Sequence, residues 1–305
     1  MRIGTRGSLL AKWQAEHVRK RIFDVSGVEA EIVIIRTSGD KLAQAPLTQI
    51  GGKGVFIKEL EDALLEGAVD LAVHSVKDVP TETPPRLYFP AVLPREDVRD
   101  CVVSRAPGGL TALREGARVG TSSLRRQAQL RRVRRDLDFR DLRGNVDTRL
   151  RKMESGEYEA VVLAKAGLDR LGLSHRISEI LSPEICLPAV GQGAIAIESR
   201  TTDRDLTEIL DKLDHAETRN AVVAERALLA ELQGGCQIPV GAWGRLERDD
   251  LVLEACVVSV DGSECVRERG AGPPGNAAEL GKDVARRLLA NGAGQILEQA
   301  ARQYE

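Results

Sequence analysis

Short apolar runs alternate along this chain with segments in which apolar residues recur every three or four positions, the rhythm of strands separated by helices. Ile3 to Thr5 reads as a strand, and Ser8 caps a helix with Leu9, Trp13, Val18 and Ile22 on one face, ended near Gly27. Val28 to Arg36 reads as a second strand. Phe56, Leu60, Ala63 and Leu64 form a helix closed at Gly67, and a buried strand from Val69 to His74 leads into Ser75-Val76-Lys77-Asp78-Val79-Pro80. After Leu93-Pro94-Arg95-Glu96-Asp97 the pattern restarts, with strands from Cys101, at Arg118 to Thr121, at Leu137 to Leu142 and at Ala160 to Ala164. A helix with Leu168, Arg170 and Leu171 follows, then a strand from Ala194 to Glu198 and a helix from Leu206 to Leu213. Alternation of this kind predicts parallel sheets, which bind ligands outside the carboxyl ends of their strands.

The two apparent linkers, 93–97 and 187–193, predict an excursion. The chain leaves a first α/β lobe (1–93 and 194–213), builds a second (99–188) and returns, making a two-lobed clamp with a cleft between the lobes. A long helix from Ala216, three alternating strands and two terminal helices then predict a smaller α+β domain over 216–305. Residues 41–54, polar and ending in Gly51-Gly52-Lys53-Gly54, lack periodicity and read as a functional loop or lid.

Composition narrows the class. At 305 residues, 30% charged and 42% hydrophobic, the chain is ordinary for a water-soluble protein of two or three domains. The start, Met1-Arg2-Ile3-Gly4-Thr5-Arg6, has no apolar signal core, and no run is long enough to span a bilayer. Five cysteines without regular spacing predict a reducing compartment, and no Cys/His cluster has metal-ligand spacing. A cytoplasmic protein without a structural metal is expected.

Charge points to the chemistry. Between Arg125 and Arg151 stand ten arginines and no lysine against four aspartates, in a chain whose net charge is −2. Such a concentration attracts anions, and a guanidinium fork matches a carboxylate with two parallel hydrogen bonds. Ser122 or Ser123 is a good N-cap for the helix carrying Leu124, Ala128 and Leu130, so Ser123, Arg125 and Arg126 are expected around an anion at a helix start. The helix dipole repels cations at that end, which argues against a plain solvated face; it suits Arg131, Arg132, Arg134 and Arg135 near the other end, which read as surface charges. Arg6 and Ser8 occupy a second strand-to-helix turn, where an ordinary cap with a surface arginine is equally open. Asp78 follows a buried strand and precedes the proline-rich exit Pro80 to Pro85, so it is held in place. Arg143 ends a strand, and Gly144-Asn145 permits a tight turn into a helix bearing Arg149. Cys101, Cys186, Cys256 and Cys265 read as inert core or sheet residues. Cys236 stands in a Gly-Gly loop, where spacing slightly favours a structural role over a reactive one.

Several of these segments together resemble the hydroxymethylbilane synthase (porphobilinogen deaminase) family: Thr5-Arg6-Gly7-Ser8, Gly51-Gly52-Lys53-Gly54, His74 to Pro80, Gly120-Thr121-Ser122-Ser123-Leu124-Arg125-Arg126, Leu142 to Val146, Leu187 to Gly193 and Gly234-Gly235-Cys236-Gln237. The motifs run in family order over nearly the whole chain. The resemblance implies three domains, the first two arranged like periplasmic anion-binding proteins. It implies a transferase that joins four porphobilinogen molecules head to tail with loss of ammonia, primed by a dipyrromethane cofactor in thioether linkage to Cys236, which reverses the structural reading of that residue. Each pyrrole unit carries an acetate and a propionate. Lys77, Ser123, Arg125, Arg126 and Arg143 are therefore expected on the cofactor, and Arg6, Ser8, Arg149 and Arg170 on incoming substrate. Loss of ammonia leaves positive charge, and Asp78 is the expected catalytic carboxylate. Motion during elongation is expected at 94–98, 189–193 and 41–54. A monomer is expected, with neither nucleic acid nor membrane as partner.

Two rivals make different demands. A nucleic-acid binder needs aromatic rings interleaved with the charges, yet Phe139 is the only aromatic between residues 89 and 158. A two-lobed anion-binding protein without catalysis needs an export signal and has no use for Cys236 or a third domain.

Overall fold

A computed structural model describes residues 1–37, 57–233 and 238–302. β1 (Arg2–Thr5) leads to Ser8, whose Oγ accepts the Ala11 N–H at 3.2 Å and opens α1 (Leu9–Ser26). Gly27, at φ +70°, closes that helix by donating its N–H to the Phe23 carbonyl at 2.8 Å. The helix buries Gln14, Ala15, Val18 and Ile22, whereas Leu9, expected on the inner face, is 59% exposed. β2 (Glu31–Ile34), α2 (Lys58–Leu65), β3 (Leu71–Ser75) and β4 (Leu87–Val92) follow. The sequence reading missed β4, because Pro90 lies inside it. The strand stands at a sheet edge, where a missing N–H breaks no ladder.

Next come β5 (Asp100–Ser104), β6 (Arg118–Gly120), α3 (Leu124–Val133), β7 (Asp138–Arg140), α4 (Val146–Glu154), β8 (Ala160–Ala164), α5 (Lys165–Arg170) and β9 (Glu179–Ile180). β10 (Ile195–Arg200), α6 (Arg204–Asp211) and α7 (Ala216–Glu231) lead to β11 (Val240–Glu247), β12 (Asp250–Val258), β13 (Cys265–Gly272), α8 (Ala277–Leu288) and α9 (Gly294–Arg302). No helix among the described residues is long and apolar enough to cross a membrane.

The chain divides into two compact units, Met1–Glu96 with Ala194–Arg219 and Asp97–Gly193 with Asn220–Glu305. The first holds a sheet of order β2-β1-β3-β10-β4, with β1 parallel to β2 and β3 and with β10 antiparallel to both its neighbours. The second holds a sheet of order β7-β6-β8-β5-β9 with the same directions: β6 parallel to β7 and β8, and β5 antiparallel to both neighbours. Both sheets are α/β, each buried on two faces. Ile3, Leu71, Val73 and Ile197 pack on one face of the first sheet and Leu60, Leu64 and Ala72 on the other. Val102, Val119 and Leu130 fill one side of the second, and Val103, Leu150 and Val161 the other.

The C-terminal part is α+β: the antiparallel sheet β11-β12-β13 packs Ala242, Leu253 and Val257 against Leu228, Val284 and Ile296. Its turn over Ser259–Glu264 meets the end of α3. Arg131 donates from Nη1 to the Val260 carbonyl at 2.7 Å, and Arg132 from Nη1 to that of Gly262 at 3.3 Å. Arg134 binds Asp136 and the carbonyls of Leu110 and Leu113. Three of the arginines expected to be simple surface charges are therefore tied down. Carbonyls reached only through tertiary contact explain why the local pattern could not show it.

Candidate active site

In the first unit β1 and β3 run parallel side by side, so the residues after each strand leave the same sheet edge. That edge receives Arg6 and Ser8 from β1, and Lys77 and Asp78 from β3. Ser8, half-buried, spends its hydroxyl as an acceptor on the helix cap. The Gln14 amide, 3% exposed, donates from Nε2 to Ser75 Oγ at 2.9 Å and ties α1 to the end of β3. Val76–Asp78 then forms a single 3₁₀ turn, with Val76 and Val79 buried, the Val79 N–H on the Val76 carbonyl at 3.0 Å and the Val76 N–H on the Ala194 carbonyl at 3.1 Å. Asp78 is thus held firmly by its backbone. Its half-buried carboxylate makes no hydrogen bond or ion pair among the described residues. Arg6 and Lys77, both half-buried, do have partners.

Beneath this edge His74 Nε2 meets Glu198 Oε2 at 2.9 Å, both nearly fully buried. Burial first, and the Glu198 carboxylate second, push the Glu61 carboxyl up to about 6.

In the second unit β6, β7 and β8 are parallel, and the segments after them share one edge. The Ser122 hydroxyl accepts the Leu142 N–H at 2.9 Å and donates to the Leu142 carbonyl at 3.0 Å, stitching the ends of β6 and β7 together. Ser123 occupies the N-cap of α3 with extended backbone but makes no capping hydrogen bond; Thr121 Oγ1 accepts the Ser123 N–H at 3.2 Å instead. Gly144, at φ +111°, makes the turn after β7, where an added Cβ would come within 2.7 Å of Thr148. Arg143 and Arg149 are half-buried, and Arg149 donates from Nε to the Gly144 carbonyl at 2.7 Å. Arg170, 8% exposed, donates from Nη2 to the Gly193 carbonyl at 2.7 Å.

Arg125 and Arg126 differ from expectation. They are 4% and 5% exposed, and both face Asp100, the fully buried first residue of β5. Arg125 Nη1 lies 2.6 Å from Asp100 Oδ2 and Arg126 Nη2 2.7 Å from Oδ1. Burial alone would push the Asp100 carboxyl up; the Arg125 and Arg126 guanidiniums overcome it and hold the group well below the usual carboxylate range. Removing one member of such a pair strands the other charge, at a cost of about 3–5 kcal/mol. The repulsion at the helix start is thus answered at least in part from within the protein. The sequence reading passed over Asp100, because the partner lies 25 residues away on another strand. A lone acid opening an otherwise apolar strand was the one available signal.

Cys101, Cys186 and Cys256 are buried, and burial pushes their thiols up, Cys101 and Cys256 to about 12. Cys265 is a sheet residue, as one of the two expected roles has it, and is exposed rather than core: it opens the outer strand β13. Cys236, Phe56, Lys53 and the 41–54 segment lie outside the described residues. Among the described residues no group of His, Cys, Asp and Glu could hold a metal ion.

Guanidinium forks near the strand ends of the second unit can match carboxylates, and the first unit carries on an anchored turn a carboxylate without a partner among the described residues, a group that can stabilise developing positive charge. A family model described as "Porphobilinogen deaminase, dipyromethane cofactor binding domain" matches residues 1–208, and "Porphobilinogen deaminase, C-terminal domain" matches residues 220–290. The porphobilinogen deaminase of Syntrophobacter fumaroxidans is 48% identical over 303 residues, covering 99% of this chain and 98% of that protein. That of Trichlorobacter lovleyi is 48% identical over 299 residues, covering 98% and 96%. Among solved structures, the methionine-binding protein MetQ is 12% identical with a TM-score of 0.46, covering 70% of this chain and 89% of that one. The chain belongs to the porphobilinogen deaminase family.

Its cofactor is accordingly dipyrromethane. The donors present suit such a group: serine hydroxyls and guanidinium forks are the partners that acetate and propionate side chains require.

Proposed function

We propose that this protein is a transferase that joins four porphobilinogen molecules head to tail, releasing ammonia at each addition and finally the linear tetrapyrrole hydroxymethylbilane. The match to one enzyme family along almost the entire chain carries this reading. Dipyrromethane, held by a thioether to Cys236, supplies the primer to which substrate units are added. Lys77, Ser123, Arg125, Arg126 and Arg143 hold its carboxylates; Arg6, Ser8, Arg149 and Arg170 receive those of the incoming substrate.

Asp78 does the electrostatic work. As ammonia departs, the substrate pyrrole becomes cationic, and a fixed carboxylate accepting its N–H stabilises that charge without reorganising. A carboxylate without a partner among the described residues, on a turn anchored by Val76 and Val79, suits this role, since it has no competing bond there to break. Cationic neighbours keep substrate carboxylates in place and leave Asp78 as the local counter-charge.

The three-domain division belongs to the same reading. It is supported by the separate hydrophobic cores of the second α/β sheet and the C-terminal sheet. A cytoplasmic monomer acting on a small molecule, without nucleic-acid or membrane partner, completes it.

Intact-protein mass tests the proposal. The purified protein should exceed its sequence mass by one dipyrromethane adduct, located on Cys236 by peptide mapping, and Cys236→Ser should lack both adduct and turnover. An unmodified chain with full activity would refute the attachment.

A further inference from the structure

We propose that Asp100 is the positioning residue of the arginine site: it grips Arg125 through Nη1 alone and so reserves the Nε–Nη2 edge of Arg125 for a ligand carboxylate. The inference rests on the reading that these arginines serve the dipyrromethane.

The argument begins with how a guanidinium is shaped. Its Nε–Nη2 edge presents two parallel N–H bonds and is suited to bidentate carboxylate binding. Arg126 gives that edge to the protein: Nε and Nη2 both donate to Asp100 Oδ1, at 3.1 and 2.7 Å, while Nη1 donates to the Val162 carbonyl at 2.9 Å. Arg125 is held differently. Its Nη1 donates to Asp100 Oδ2 at 2.6 Å and to the Leu187 carbonyl at 2.7 Å, with Cys186 Sγ 3.4 Å away. Its Nε and Nη2 donate to nothing among the described residues, although the residue is only 4% exposed. The fully buried side-chain atoms without a partner include neither of these nitrogens, so the edge keeps a narrow opening to solvent through which a carboxylate can reach it.

Charge points the same way. Two guanidiniums share one carboxylate. The remaining donors on Asp100 are neutral: Gln192 Nε2 at 2.9 Å and the Cys186 thiol at 3.4 Å. The nearby charges balance among themselves, Arg99 on Asp97 at 2.6 Å and Lys165 on Asp169 at 2.5 Å. One unit of positive charge is left over beside the open edge of Arg125. Arg126 and Gln192 anchor the carboxylate, and the carboxylate aims Arg125. On this account Arg125 offers the ligand its whole Nε–Nη2 edge, whereas the same edge of Arg126 is engaged by Asp100.

Three variants, purified as expressed, test the assignment by the fraction of chains carrying the adduct in intact-mass spectra, by KM against kcat, and by thermal melting. Asp100→Glu keeps the charge but shifts it by one methylene; the adduct-bearing fraction should fall about tenfold while a cooperative melt survives. Asp100→Asn combined with Arg126→Met preserves the wild-type charge balance, so it covers the case in which Asp100→Glu fails to fold. This double variant should melt near the wild type and still load poorly, with KM raised more than kcat is lowered in the loaded fraction. Normal loading and KM in either folded variant would reduce Asp100 to charge balance and overturn the proposal. Arg125→Met separates the two readings: normal loading there removes Arg125 from the cofactor site altogether, whereas poor loading there with normal loading in the Asp100 variants sinks Asp100 alone.

Discussion

Replacing Asp78 by Asn should separate activity from stability. The substitution keeps the shape of the side chain and removes its charge. In the folded protein the carboxylate is half-buried and makes no hydrogen bond or ion pair among the described residues, so no bonded partner is stranded. The turn is held instead by the Val76 and Val79 backbone bonds, at 3.1 and 3.0 Å, which the change leaves alone. The stability change should therefore stay within about 0.5 kcal/mol, the range for substitutions away from buried networks, or a shift in Tm of about 1–2 °C for a protein of this size. Catalysis should respond quite differently. Removing one preorganised electrostatic partner of a developing charge costs about 3–4 kcal/mol, or 10²–10³ in kcat. Steady-state turnover of porphobilinogen, melting curves and intact mass on the same preparation measure all three quantities. Asp78→Asn should retain its adduct, melt like the wild type and turn over at least 100-fold more slowly. A kcat within threefold of the wild type would refute the role; a large loss of Tm would show that the carboxylate is structural.

Three further expectations concern stability alone. Gly281 in α8 faces the backbone of α7, where an added Cβ would come within 2.2 Å of the Ala224 carbonyl oxygen and 2.9 Å of the Leu228 nitrogen. Gly281→Ala gains about 1 kcal/mol in helix propensity, but overpacking against immovable backbone costs about 1–3 kcal/mol; the melt should move down, and an unchanged or higher Tm would show that the helices separate freely. On acidification, Glu159 should matter: hydrogen bonds from Arg118, despite some burial, hold its carboxyl down to about 2 from an ordinary 4.5. A lowered folded-state value means stability that is present above pH 4.5 and lost as the pH falls towards 2, so Glu159→Gln should melt with a shallower acid limb over that window. Superimposable limbs would contradict the assignment. Glu61, pushed up to about 6 by burial and then by Glu198, acts with opposite sign: its contribution is present below pH 4.5 and lost as the pH rises through 6.

Much of this was legible in the sequence wherever one segment decides its own structure. The Ser8 cap and Gly27 stop, the alternation of strands and helices, and the turn at Gly144 all follow from local chemistry. So does the placement of Asp78 just past a buried strand. The expected parallel sheets, by contrast, are mixed, with β5 and β10 antiparallel to their neighbours. What escaped was decided at a distance. Pro90 argues against a strand until its edge position is known. Arg125 and Arg126 pointed to an external anion because their internal one, Asp100, belongs to another strand. Arg131 and Arg132 looked solvated because their acceptors, Val260 and Gly262, come about 130 residues later. The role proposed for Cys236 comes from family resemblance rather than from its spacing.

The place of β10 has a consequence for biosynthesis. It lies between β3 and β4, yet it is made only after the whole of β5 to β9. A chain emerging from the ribosome therefore carries an N-terminal sheet missing one of its middle members, with β4 unmoored, until residues beyond 195 appear. The arginine-bearing sheet has all of its strands by Ile180 and can close first. The half of the protein that is translated first is thus the half that waits, and nascent chains halted between these points should yield a protease-resistant fragment from the later sheet and none from the earlier.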